Sequence, residues 1–467
     1  MDERDQTDQT DQTDQKDQIP RCPKPVAIAK YDKKILPNRI LSVYFTTMSD
    51  NLQVKRVLSR YLPKSTSKKV VLLTGARQTG KTTLSQASYP DLRYINLDAP
   101  ENRDILRLVP SSSWGRDVGS AVIDEAQKAP IVFEKVKYAF DAGHVSFCVL
   151  TGSSQILLLK KIRETLAGRI SLYELWPLMV GEVYHGGDDS DVKPPLIDKL
   201  LTGRSIDKIL SPVPGILLDE KEAGQRAAEN HLINWGGMPA LLHLPEEERW
   251  KWLGDYEYTY LERDLSDLAR LDDLEPFRKF QRLSALRSGK LLQYSELARD
   301  AGVSVDTARR YLEYLRISYQ CILIQPYRRN VTSSVIKTPK LYWVDVGILR
   351  RLTGFRGDPT GDLYETYVIG EIFKWIKTVQ WAGKLSFYRT RSGLEVDLLL
   401  ETQHGVVGIE IKSRESVTGT DLRPLRDVAN GLGREWLGGI VVYRGREIRK
   451  IAEPSIWAVP SCRLFIR

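Results

Sequence analysis

The run Val70-Val-Leu-Leu-Thr-Gly-Ala-Arg-Gln-Thr-Gly-Lys-Thr-Thr83 constrains this chain most, because an unbroken apolar stretch ends in Gly75 and is followed by Gly80, Lys81 and Thr82. An apolar run without alternation is the pattern of a strand buried on both faces, as in a parallel sheet. Glycines at its end let the backbone turn tightly enough to aim several N–H groups at a polyphosphate. Lys81 then reaches the outer phosphates and the Thr82 hydroxyl holds magnesium. A helix opening near Lys81 adds the positive end of its dipole. The expected nucleotide cradle is Gly75, Ala76, Arg77, Gln78, Thr79, Gly80, Lys81, Thr82 and Thr83. A plain surface turn would explain two glycines, but not Gly-Lys-Thr after a buried strand.

A second apolar run, Ser120-Ala-Val-Ile-Asp-Glu-Ala-Gln127, ends in paired carboxylates. Carboxyl ends of parallel strands open onto the ligand crevice, so Asp124 is expected to bind magnesium and Glu125 to orient and deprotonate a water. The competing reading has both acids capping the next helix. A third run, Val145–Leu150, leads into Thr151-Gly-Ser-Ser-Gln155, whose polar tip points Ser153 or Ser154 at the outer phosphate. Further on, Leu166-Ala-Gly-Arg169 offers a guanidinium. Arg169 either contacts developing phosphate charge, in its own chain or across an oligomer interface, or pairs with nearby carboxylates.

Taken in order, GARQTGKTT, INLDAPENR, AVIDEAQ, LTGSSQ and LAGR resemble the prokaryotic AAA-type ATPases. Trp-Pro-Leu at 176–178, Gly-Gly-Met-Pro at 236–239 and YLERDL at 260–265 resemble the companion domain of unknown function that these proteins carry. The resemblance spans roughly residues 50–415 and implies ATP binding and hydrolysis. Residues 186–225 match no known motif and read as an insertion.

Past the ATPase segment, Leu291–Leu315 has the cadence of a helix-turn-helix. Ser295 is expected to cap the first helix, Gly302 to make the turn and Ser304 to cap the second; Ala308, Leu312 and Leu315 form the inner stripe. The apolar Cys321–Ile324 and basic Tyr327-Arg-Arg329 follow as a wing. Arg309 and Arg310 then face DNA, unless the segment only packs against the ATPase.

Near the C-terminus a helix opening at Gly361 carries Glu365, two strands around 385–400 form a hairpin with Asp397, and Val406–Lys412 ends in Glu410 and Lys412. This order resembles the PD-(D/E)XK nuclease superfamily. It implies that Glu365, Asp397 and Glu410 bind a divalent metal and that Lys412 orients a water. Glu410 and Lys412 share a strand face because they are two residues apart. A Glu-x-Lys pair is also common on solvated strands, and nuclease folds are reused as binding modules.

Length agrees with this division, since 467 residues exceed what one core usually supports and imply about three domains. The repeat MDERDQTDQTDQTDQKDQ holds seven acidic and two basic residues, too little apolar surface to order itself. The formal net charge of +9 thus becomes +14 on the remainder, a body compatible with nucleic acid. Four scattered cysteines and five dispersed histidines suggest neither disulfides nor zinc. No run approaches the roughly eighteen apolar residues of a membrane helix and no signal peptide is evident, so the expected location is the cytoplasm.

The sequence thus predicts an α/β protein: an acidic tail or extension over 1–47, an AAA-type P-loop domain with a parallel sheet over 48–185, and a helical connector with an insertion over 186–290. A winged helix over 291–340 and a restriction-endonuclease-like α/β domain over 341–467 complete it. Expected cofactors are ATP and Mg2+; expected partners are DNA, a second copy of the chain or a protein, and no membrane. The rival function is a nucleotide-gated protein-binding scaffold with an inactive nuclease-like domain. A helicase is disfavoured because no second motor lobe follows residue 170.

Overall fold

Apolar runs in the first half pair as a parallel sheet. A computed structural model describes residues 54–152, 168–186, 194–217, 219–269, 274–327 and 337–466. The acidic tail, Ser153, Ser154, Arg328 and Arg329 lie outside them. Strands β1 (Lys69–Gly75), β2 (Arg93–Asn96), β3 (Ala121–Asp124), β4 (Phe147–Gly152) and β5 (Ile170–Leu175) lie in the order β2-β3-β4-β1-β5, every pairing parallel. Strand β4 therefore stands between the strand that carries the glycine loop and the strand that carries Asp124. Six of the seven residues of β1 and all of β3 and β4 are buried, as parallel strands covered on both faces must be.

The second half is built on a nine-stranded mixed sheet. Its strands are β6 (Lys290–Leu291), β7 (Cys321–Pro326), β8 (Lys340–Trp343), β9 (Lys384–Arg389), β10 (Glu395–Thr402), β11 (Gly405–Lys412), β12 (Trp436–Tyr443), β13 (Arg449–Ala452) and β14 (Ile456–Pro460). Strands β9, β10 and β11 form an antiparallel meander, and β11, β12 and β14 run parallel. Around β6–β8 are three helices: Glu275–Leu286, Tyr294–Ala301 and Val305–Ile317. The last begins at Ser304, whose hydroxyl accepts the Thr307 N–H at 3.1 Å, and Gly302 supplies the left-handed turn at φ 75°. Ser295 does not cap the preceding helix: that helix begins at Tyr294, with Gln293 at the cap position.

Two expected boundaries differ. The 291–340 unit starts earlier, because Phe277 and Phe280 pack edge-on against Tyr311, and its strand β7 pairs in parallel with β9, fusing the two expected domains into one sheet. The described part of the 186–225 segment packs against the C-terminal module. The Asp207 carboxylate accepts from Trp457 Nε1 at 2.7 Å and the Asp198 carboxylate from Trp375 Nε1 at 3.2 Å, so the helix Ile206–Leu210 packs on the C-terminal sheet and Leu196–Leu200 on the helix Gly361–Thr378.

The segments 176–178 and 236–239, distant in sequence, meet backbone to backbone. Leu178 N–H donates to Gly237 O at 2.7 Å, and a methyl on Gly237 would lie 2.3 Å from Leu178 O. Asp345 finishes the junction: its buried carboxylate accepts Gly237 N–H at 2.7 Å and caps the helix Val346–Thr353 through Ile348 N–H at 3.0 Å. Asp345→Ala leaves two buried donors unmet and should lower stability by about 3 kcal/mol. Asp345→Asn, which keeps a carbonyl oxygen, should lose less. Denaturant unfolding of both variants checks the order.

Candidate functional site

The glycine loop forms as its residue types demand. A methyl at Gly75 would stand 2.1 Å from the Leu175 carbonyl oxygen of β5, so no other residue fits there. Gln78 at φ 57° and Gly80 at φ 91° bend the loop through left-handed conformations, and Gly80 caps the helix Lys81–Ser88. Lys81 is buried, its ammonium donating to Gly75 O at 3.1 Å and Ala76 O at 2.7 Å. Arg56 braces the loop from outside through Thr79 O at 2.6 Å.

Asp124 lies at the tip of β3 with 3% exposure. Thr82 Oγ1 donates to its Oδ2 at 2.6 Å, Tyr94 OH to the same oxygen at 2.7 Å, and Thr151 Oγ1 and the Glu125 N–H to Oδ1. The loop hydroxyl, the acid strand and the tip of β4 thus converge on one carboxylate. Glu125 has φ 54° and accepts from Gln127 Nε2 at 2.5 Å. Burial raises its pKa above the ordinary glutamate range, while Lys81 and the Gln127 hydrogen bond pull the other way.

A cleft of about 480 Å³ opens beside these groups, lined by Arg77, Gln78, Lys81, Thr82, Thr83 and Glu125 and, across from them, by Pro239, Tyr256 and Thr259. Sequence reasoning missed that far wall, and also Tyr94 and Thr151 as partners of Asp124. Thr151 carried a local signal as the last residue of an apolar strand; Tyr256 carried none, since tertiary packing alone brings it over the loop. The donor set suits a magnesium–nucleotide complex: an N–H-rich cradle that a side chain would fill, a buried lysine, and a hydroxyl beside a buried carboxylate.

Arg169 is not at this cleft. It precedes β5 at the opposite end of the sheet, where its backbone carbonyl meets Val70 N–H and its guanidinium pairs with Asp141 at 2.5 Å. Five strand residues separate it from Leu175, which lies beside Gly75, a span of about 20 Å. Contact with a phosphate bound in its own chain is therefore ruled out by reach.

The C-terminal residues do gather. Extending the β10–β11 register by one residue sets Asp397 opposite Glu410, and Asp397 Oδ2 accepts the Ile411 N–H at 2.8 Å. Lys412 Nζ donates to Glu410 Oε1 at 2.6 Å. Glu365 accepts from Tyr342 OH at 2.5 Å and from Lys340 Nζ at 3.0 Å. Lys340 and Tyr342 were not foreseen. Burial, reinforced by Glu410 and Glu365, raises the Asp397 pKa well above its usual value; burial pushes Glu410 up to about 7 against the pull of Lys412. Among the described residues, no three acidic, histidine or cysteine side chains are arranged to hold one metal ion.

On the helix Val305–Ile317, Arg309 and Arg310 are exposed; Arg309 pairs with Asp306 at 3.0 Å and lies over the Tyr294 ring.

Comparison with known proteins agrees with the sheet and the loop. Residues 67–184 match the AAA domain family, while residues 227–358 and 360–464 match two domains of unknown function, DUF8612 and DUF4143. Residues 67–184 are thus an AAA-type domain. The chain is 29% identical over 406 residues to the uncharacterized protein Rv2008c of Mycobacterium tuberculosis, covering 85% of this chain and 81% of that protein. The uncharacterized protein Mb2031c of Mycobacterium bovis matches equally. Among solved structures, the Walker-type ATPase PABY2304 of Pyrococcus abyssi is 16% identical with a TM-score of 0.40, covering 64% of this chain and 96% of that one. The ORC2 protein of Aeropyrum pernix in its ADP form is 14% identical with a TM-score of 0.27, covering 61% and 90%. No described helix is long and apolar enough to cross a membrane.

If ionised Glu125 accepts a proton during turnover, the ATPase rate should fall on the acid side at a higher pH than an ordinary carboxylate sets. Gln127→Ala removes a bond that favours the ionised form, so its acid limb should move to still higher pH. A pH–rate profile of both proteins reads this, and an unmoved limb assigns the base elsewhere.

Proposed function

We propose that this protein is a magnesium-dependent ATPase whose turnover repositions its helix-turn-helix and C-terminal modules on DNA. The observation that carries the ATPase reading is the 2.6 Å hydrogen bond from Thr82 to Asp124, made inside the cleft that Lys81 and Glu125 also line. Thr82 and Asp124 would hold the ion, which supplies charge neutralisation and orientation of the phosphates. Lys81 would exchange its loop carbonyls for phosphate oxygens. Glu125 would orient a water and take its proton, and Thr151 keeps Asp124 aimed at the Thr82 side. Ser153 remains the proposed contact to the outer phosphate. Arg169 would serve a neighbouring copy's nucleotide across an interface, which makes an oligomer part of this reading.

Two features support DNA as the partner. The order helix, β6, helix, helix, β7, β8, with β6 and β7 both pairing with β8, fits a winged helix. Arg309 and Arg310 are exposed on its third helix, where such a module meets the duplex. The order of Glu365, Asp397, Glu410 and Lys412 supports a nuclease-like fold for the C-terminal module. The ion pairs of Lys340 favour an inactive one, which keeps the scaffold reading in view.

Lys81→Ala should abolish nucleotide binding, whereas Glu125→Gln should bind ATP and lose turnover by a factor of about 100 or more. Nucleotide titration and phosphate release distinguish the two, and normal turnover from both variants sinks the assignment. Duplex DNA should raise the ATPase rate at low salt. Replacing Arg309 and Arg310 together by Ala should weaken DNA binding and reduce the salt slope by about 2.

A further inference from the structure

The carboxylate cluster of the C-terminal module already contains a cation. Lys340, on β8, is 2% exposed, and its ammonium lies 3.0 Å from Glu365 Oε1 and pairs with Glu395. The Phe387 and Tyr342 rings flank it, with centroids 5.6 and 5.9 Å away. Tyr342, two residues along the same strand face, donates to the same Glu365 oxygen, so β8 brings both of that carboxylate's donors at once.

The remaining charges are nearly matched. Lys412 pairs with Glu410 and Arg389 with Glu395, setting three cations against Glu365, Glu395, Asp397 and Glu410. A divalent ion added to this set would leave surplus positive charge in a buried place unless a lysine withdrew. One oxygen still points to cation binding: Glu410 Oε2 is buried with no hydrogen-bond partner among the described residues. Carboxylates are therefore gathered here, but not in an arrangement that holds a metal ion, and the ammonium of Lys340 stands among them.

We infer that Lys340 is the resident cation of this cluster and closes it to divalent metal ions. The C-terminal module then holds its acids as a fixed ion network, with strand β8 of the helix-turn-helix unit supplying the plug. The inference rests on the nuclease-like reading only in naming a divalent metal as the competitor, and it is independent of ATP turnover.

The test uses the full-length chain without nucleotide or DNA and counts bound Mn2+ by the EPR signal of the free ion. Wild type and Asp397→Asn should bind the same amount. Lys340→Met should gain one Mn2+ per chain, and the gain should vanish in the Lys340→Met, Asp397→Asn double variant. Mn2+ should also raise the melting temperature of Lys340→Met and leave that of wild type unmoved. Should Lys340→Met fail to fold, Lys340→Gln, which keeps a donor to Glu365, replaces it. A wild-type Mn2+ site that Asp397→Asn abolishes overturns the inference, as does a folded Lys340 variant that gains none.

Discussion

The segment that leaves the first sheet is tied to the rest of the chain at a backbone contact, where Leu178 N–H meets Gly237 O. Neither segment belongs to a strand, so each would bury unpaired peptide groups if the other were absent. Carboxylates replace the missing ladder. Glu182 accepts Val57 N–H at 2.8 Å and Met179 N–H at 3.0 Å, Glu371 accepts Val180 N–H at 2.8 Å, and Asp345 takes Gly237 and Ile348. Lys374 donates to Leu178 O at 2.9 Å and pairs with Glu371, so the charge brought in by that acid is offset in place. Buried acids without such a cation would cost more than their hydrogen bonds return. The second half of the chain is thus seated on the ATPase-type sheet by paired charges as well as by apolar contact.

Buried lysines recur, and their partners separate structural from chemical roles. Lys135 donates to three carbonyls, Leu106 O, Arg107 O and Val109 O, at 2.6–2.7 Å, closing the end of the helix Pro100–Leu108 where the dipole is negative. Lys374 and Lys340 face carboxylates. Lys81 differs: it donates to two neutral loop carbonyls and stands at the edge of an open cleft. Burial depth alone would not separate these four side chains; partner charge and access to the cleft do.

How legible the protein was follows from how local each signal is. The strand, glycines, Lys81 and Thr82 sit within one loop and helix start, so residue type and spacing carry the cradle almost whole. Asp124 and Glu125 were readable for the same reason, at the end of an apolar run. Glu410 with Lys412, and the meander that sets Asp397 opposite Glu410, followed from two-residue periodicity and hairpin order. Lys340 was not readable, because it enters the acid cluster from β8, well apart in sequence from Glu410. Arg169 stayed open for a related reason: its place in the motif order gave no indication of which end of β5 it lies at, and the pairing with Asp141 is one of the alternatives its sequence left. The packing of the helices at 196–210 was not legible, because their partners, Trp375 and Trp457, lie far along the chain.

The same nonlocal packing gives the cleft its second wall. The helix Glu246–Ala269 presents Tyr256 to the glycine loop, its hydroxyl 3.5 Å from Arg77 O. The next residue, Glu257, faces away, pairing with Arg282 at 3.3 Å and Arg351 at 3.5 Å. Arg282 belongs to the helix Glu275–Leu286 and Arg351 to the helix that Asp345 caps. One helix therefore touches the nucleotide cleft and two downstream elements through consecutive side chains. A shift of Tyr256 can be relayed to both without any intervening loop, because a helix moves as a rigid rod over so short a length.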